Sequence, residues 1–98
     1  MADSEPQSSF IQHVFIFHGS GAKFAAGVYD GLDAAKRNIA AHKMSGLLTK
    51  YSLNETAFDY AIRNKLFEPK EEKPAHFVQR FTSAAQDHFH FENGEMSG

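Results

Sequence analysis

The sequence predicts an α+β fold: a four-stranded, mainly antiparallel sheet with its helices packed on one face. Three observations carry this. Val14-Phe15-Ile16-Phe17 is an apolar run of strand length, broken by Gly19-Ser20-Gly21. Leu47 to Leu53 and Gln86 to Glu92 alternate with a period of two, the signature of strands. Between these runs, apolar residues recur at three and four, the spacing of one helix face.

Residues 1–9 are polar and small, and read as a disordered lead-in to one domain spanning 10–94, with 95–98 as a disordered tail. The first strand, Val14 to Phe17, is apolar on both sides. Phe24 to Tyr29 reads as its hairpin partner, with Gly27 marking a bulge or close packing. Asp30 stands as N-cap of a helix over Gly31 to Met44, with Leu32, Ala35 and Ile39 as its buried stripe and Gly46 as a left-handed stop.

Leu47 to Leu53 follows as a strand with one drier side. Leu47, Thr49, Tyr51 and Leu53 share one face, and Leu48, Lys50 and Ser52 the other. Asn54 caps a second helix carrying Phe58, Ala61, Ile62 and Leu66 at helical spacing. Glu68 to Pro74 is a charged loop with two prolines, and Pro74 to Phe81 a short helical turn. Gln86 to Glu92 closes the order strand, strand, helix, strand, helix, short helix, strand. Asn93-Gly94 ends it.

Composition narrows the function. Ten Phe in 98 residues supply a core without staples, because each well-buried Phe is worth roughly 1.5–3 kcal/mol. The absence of Cys excludes disulfides, thiolate metal sites and a cysteine nucleophile, and fits a reducing compartment such as the cytoplasm. A net charge of −2 argues against non-specific nucleic-acid binding. No apolar run approaches the roughly 20 residues of a membrane span, and the N-terminus lacks the features of a secretory signal.

The motifs are sparse. Gly19 and Gly21 fail the phosphate-loop spacing, since Phe24 stands where a third glycine belongs and Lys23 is followed by no Ser or Thr. His18-Gly19 has no G-x-S-x-G elbow to serve. The sharper pattern is His88-Phe89-His90-Phe91-Glu92, which on a strand aligns two imidazoles and a carboxylate on one face. With His18 as a neighbour, these residues are candidate ligands for a divalent metal such as zinc. The plainer reading is an amphipathic strand with Phe inside and His outside. Thr82 and Ser83 supply hydroxyls near the pair, but nothing in the sequence arranges a catalytic set.

Phe10, Phe24, Tyr29, Tyr51, Tyr60, Phe67 and Phe77 exceed what so small a core takes up, which points to an aromatic interface. The segments His13 to Gly19, Gly27-Val28-Tyr29, Ser45 to Tyr51 and Gln79 to Ala84 resemble those of a family of short, uncharacterised bacterial proteins. The likeness spans about Val14 to Gly94. That family has no assigned activity, cofactor or catalytic residue, so the resemblance implies a bacterial single-domain protein and transfers no site.

The expected function is a small cytoplasmic interaction or oligomerising module without catalysis, with a protein partner or a second copy. The alternative is a divalent-metal or small-ligand binding protein, or a hydrolase, using His88, His90, Glu92 and His18.

Overall fold

The computed structural model describes residues 12–82 and 86–97. In chain order they form β1 (His13–Gly19), β2 (Gly27–Tyr29), α1 (Leu32–Ala41), β3 (Gly46–Ser52), α2 (Ala57–Arg63), α3 (Ala75–Val78), β4 (His88–Glu92) and β5 (Glu95–Ser97). The sheet order is β2-β1-β3-β4-β5, and every neighbouring pair is antiparallel. The expected lead-in (1–9), Phe10, Ser83 and residue 98 lie outside the described residues.

The α+β class and antiparallel sheet are as the sequence predicts; the strand count is not. Glu95–Ser97, expected as tail, forms a fifth strand on β4. Asn93 and Gly94 both have positive φ, at 52° and 88°, and Glu92 pairs with Glu95 across them. This is a two-residue type I′ turn, whose twist matches that of the strands it joins. Gly94 is required there twice over. Its φ is left-handed, and an added β-carbon would lie 3.0 Å from the Lys43 α-carbon.

Register decides which side chains form the core. Phe17 stands opposite Leu48, and Leu48 opposite Phe89, so these three share a face with Phe15 and Phe91. Ala35 and Ile39 of α1 pack onto that face, where Phe17, Ile39 and Leu48 are the largest fully buried side chains. The drier side of β3 is therefore the Leu48 side, while Tyr51 on the other side is 36% exposed. Leu47 looks equally apolar in sequence, but only Leu48 falls into the layer of Phe rings.

The helix ends differ from the sequence reading. Gly31, not Asp30, is the N-cap of α1 and makes no side-chain capping bond. The stop is Lys43 at φ 53°, three residues before Gly46. Met44 N–H reaches back to Ile39 O at 3.0 Å and Lys43 N–H to Ala40 O at 3.1 Å, a Schellman closure. Thr56, not Asn54, caps α2, accepting from Asp59 N at 2.9 Å. The same closure ends α2, with Lys65 at φ 59° and Leu66 N–H donating to Ala61 O. Ile62 inside α2 and Leu66 beyond its end are both exposed, while Ala61 is buried.

Phe24 also departs from expectation. β2 begins only at Gly27, and Phe24 stands 77% exposed in the preceding loop. That loop is folded on itself by Ala22 N–H to Gly19 O and Ala26 N–H to Phe17 O, which take the backbone bonds a longer hairpin needs. Phe67 and Phe77 are not surface surplus. They join Phe58 and Phe81 in a cluster of rings 5.3 to 6.1 Å apart, which attaches α3 to α2. Tyr29 packs against the sheet core.

Gly46 opens β3 where it presses on β1. An added β-carbon would collide with the His18 carbonyl oxygen and lie 2.8 Å from the Gly19 α-carbon. Gly46→Ala is expected to cost about 3 kcal/mol in urea unfolding, because backbone cannot yield as a side chain does. Gly31→Ala, with nothing within 4 Å of the new carbon, is expected to cost under about 1 kcal/mol.

Candidate functional site

Strand parity leaves a second face. Val14, Ile16 and His18 of β1 share it with Val28, with Leu47, Thr49 and Tyr51 of β3, and with His88, His90 and Glu92 of β4. Among the described residues, the helices that meet the sheet, α1 and α2, lie with the opposite face. Val28 is 65% exposed, and Val14, Ile16 and Leu47 are only half-buried.

The predicted site residues lie on this face: His18, His90 and Glu92 line one hollow with Leu47, and His88 stands beside His90. The His88 and His90 rings stand 5.4 Å apart and nearly perpendicular. His18 pairs with Leu47, and Leu47 with His90, so a leucine separates the two histidines by two strand spacings, about 9.6 Å. Glu92 follows at the end of β4, opposite Glu95. Among the described residues, no three His, Asp or Glu side chains are grouped to hold a metal ion.

Hydrogen bonds fix two tautomers. His88 Nδ1 lies 2.8 Å from Gln86 O, and a carbonyl only accepts, so Nδ1 carries a proton, and in the neutral ring Nε2 keeps its lone pair. By the same reasoning His18 Nε2–H donates to Ala22 O at 2.8 Å and leaves Nδ1 as the acceptor. His88 and His90 line a groove of about 390 Å³ with Thr82 and Gln86 at its rim. The Thr82 hydroxyl makes no hydrogen bond to either imidazole among the described residues.

A second site was not read from the sequence. On the Phe face, Lys50 sits between Phe15 of β1 and Asp87, which precedes β4. Its backbone is held on both sides: Lys50 N–H donates to Asp87 O at 2.9 Å, and buried Gln86 Nε2 donates to Lys50 O at 3.1 Å. Lys50 lines a recess of about 220 Å³ that is also walled by Tyr60, Arg63 and Asn64 of and just after α2. Arg63 is fixed by Glu55, with Nε and Nη2 donating at 2.9 to 3.2 Å, and Ser52 Oγ–H donates to the same carboxylate at 3.1 Å. The sequence signal is a lone cation in register with Leu48, on the strand side that turns inward.

A family model described as a domain of unknown function, DUF7710, matches residues 14–97. The chain belongs to the DUF7710 family. No curated protein and no solved structure matches it. The DUF7710 match opens one residue into β1 and closes on the last residue of β5, so the family unit coincides with the five-stranded sheet. The resemblance to an uncharacterised family is thereby confirmed. Among the described residues of this DUF7710 domain, no helix is long and apolar enough to cross a membrane.

The Arg63–Glu55 pair is the one ion pair among the described residues. Hydrogen bonding to the guanidinium holds the Glu55 carboxyl below the usual carboxylate range, and Glu55 raises Arg63 in turn. A carboxyl that is harder to protonate folded than unfolded stabilises the fold above the ordinary carboxylate range. That contribution is lost as pH falls through the folded titration. In a carboxyl-carbon NMR titration, Arg63→Gln is expected to raise the Glu55 midpoint toward the ordinary carboxylate range. An unchanged Glu55 midpoint would show that the ion pair has no hold on it.

Proposed function

We propose that this DUF7710 domain acts by binding, as a cytoplasmic module that self-associates through the open face of its sheet. The observation that carries the reading is the row of half-buried and exposed apolar side chains, Val14, Ile16, Val28 and Leu47, on the face opposite α1. A second copy suits it for two reasons. Two sheet faces pack about 10 Å apart and bury such rows against each other. The strand residues of this face include no Lys, Arg or Asp, and their two carboxylates, Glu92 and Glu95, stand at one corner, so facing copies repel little. A chain without cysteine fits a reducing compartment.

Sedimentation between about 10 and about 500 μM protein is expected to show a dimer, and Ile16→Glu a folded monomer. A wild-type chain that stays monomeric throughout, or a glutamate variant that dimerises unchanged, rules the reading out.

A second reading, divalent-metal binding, has its own support in the 5.4 Å approach of His88 to His90 and the free Nε2 of His88. Stoichiometric zinc is then expected to move the two imidazole signals together, and His88→Ala with His90→Ala to abolish the shift. Imidazoles indifferent to zinc remove this reading.

A further inference from the structure

The recess beside Lys50 carries an inference independent of the open face. β3 is the middle strand of the sheet, and its inward side is otherwise the place for Leu48, fully buried among Phe rings. An ammonium on that side is costly unless water or a partner meets it. Among the described residues Lys50 has no ion pair, and Asp87 in the same row does not close one. Arg63, the neighbouring cation, spends Nε and one Nη2 hydrogen on Glu55 and keeps Nη1 free.

Each residue lining the recess carries a polar side-chain group, and the unused groups named next are mostly donors. They comprise the Lys50 ammonium, Arg63 Nη1, the Tyr60 hydroxyl and a nitrogen of His13, whose ring packs edge-on to Phe15 at 5.7 Å. The unused acceptors are the Asp87 carboxylate and Asn64 Oδ1, since Asn64 Nδ2 already donates to Tyr60 O. The walls are also set in advance. Thr56 caps α2, Ser52 holds Glu55 and Glu55 holds Arg63, and Asp87 and Gln86 hold the Lys50 backbone. A volume of about 220 Å³ holds about seven water-sized atoms, so the occupant is small.

The geometry points to a binding site for a small oxyanion, a carboxylate or phosphate, held between Lys50 and Arg63. Lys50 supplies a charge sheltered on its sheet side, where attraction is screened less than in open water. Arg63 supplies a planar pair of N–H groups matched to two oxygens. Asp87 at the rim then faces a hydroxyl or ammonium elsewhere on the same molecule.

The test is an NMR titration of the wild-type chain with inorganic phosphate and, separately, with acetate, against sodium chloride at equal ionic strength. Saturating shifts are expected at Lys50, Tyr60, Arg63 and Asp87, including the ε-methylene signal of Lys50. Whichever probe saturates first identifies the oxyanion source. Lys50→Met should weaken binding at least about tenfold while matching or exceeding wild-type stability, because a thioether suits the neighbourhood of Phe15 better than an ammonium. A merely structural lysine predicts the reverse: lost stability and unchanged shifts. A Lys50 ε-methylene that ignores both probes overturns the proposal whether or not the variant folds. So do shifts spread equally over Lys36, Arg37 and Lys43, which would mark an adventitious ion only.

Discussion

The seven-residue ladder between β1 and β3 is the constraint from which the rest of this domain follows. It runs from His13 opposite Ser52 to Gly19 opposite Gly46, and its register assigns every side chain of both strands to a face. A slip of β1 by one residue against β3 would turn Phe15 and Phe17 away from Leu48 and bring Val14 and Ile16 against α1. The register is pinned at one end by Gly46, whose missing side chain lets the two backbones close to contact. At the other end Leu53 N–H donates to Gln12 O, extending the pairing past the last formal strand residue.

The aromatic residues divide into two populations with different tasks. Phe15, Phe17, Phe89 and Phe91 belong to the sheet layer, where Phe17 meets Phe91 edge-on at 6.4 Å. Phe58, Phe67, Phe77 and Phe81 form a satellite under the charged loop, with Lys73 over the Phe77 ring at 5.1 Å. The satellite fixes the approach of α3 and the residues leading toward the groove beside His88. Its rings contact one another, so a segment with only four helical residues in α3 is still tied to the body of the protein.

Legibility followed the range of the signal. Strand parity is local, and the placement of Phe89 and Phe91 opposite His88 and His90 could be read directly. So could α1, from Leu32, Ala35 and Ile39. What could not be read depends on partners distant in sequence. Leu47 and Leu48 are equivalent until β1 and β4 choose between them. Lys50 looks like an ordinary solvated charge until its row is known to contain Phe15. Asn93-Gly94 was visible as a turn, but a turn ends a strand or reverses it, and the three residues after it are too polar to show which. Lysines closing two helices in the left-handed region defy residue preference. There the Schellman bonds, and Met44 packing against the core behind Ile39, outweigh a cost of about 1–2 kcal/mol at each residue.

The antiparallel hairpin at the far end of the sheet has a consequence for synthesis. β3 is central in the finished sheet, yet one of its two neighbours is made of residues 88–92, some 40 positions later. While the chain emerges from the ribosome, β1, β2, α1 and β3 can already pair, and β3 is then an unprotected edge with Leu47 and Leu48 side by side. Protection comes when the Asn93-Gly94 turn lands on the end of α1, with Gly94 N–H on Met44 O and Asn93 N–H on Ser45 Oγ. That landing converts a sticky nascent edge into an interior strand, so arrival of the β4–β5 hairpin decides whether the growing chain stays solitary or aggregates.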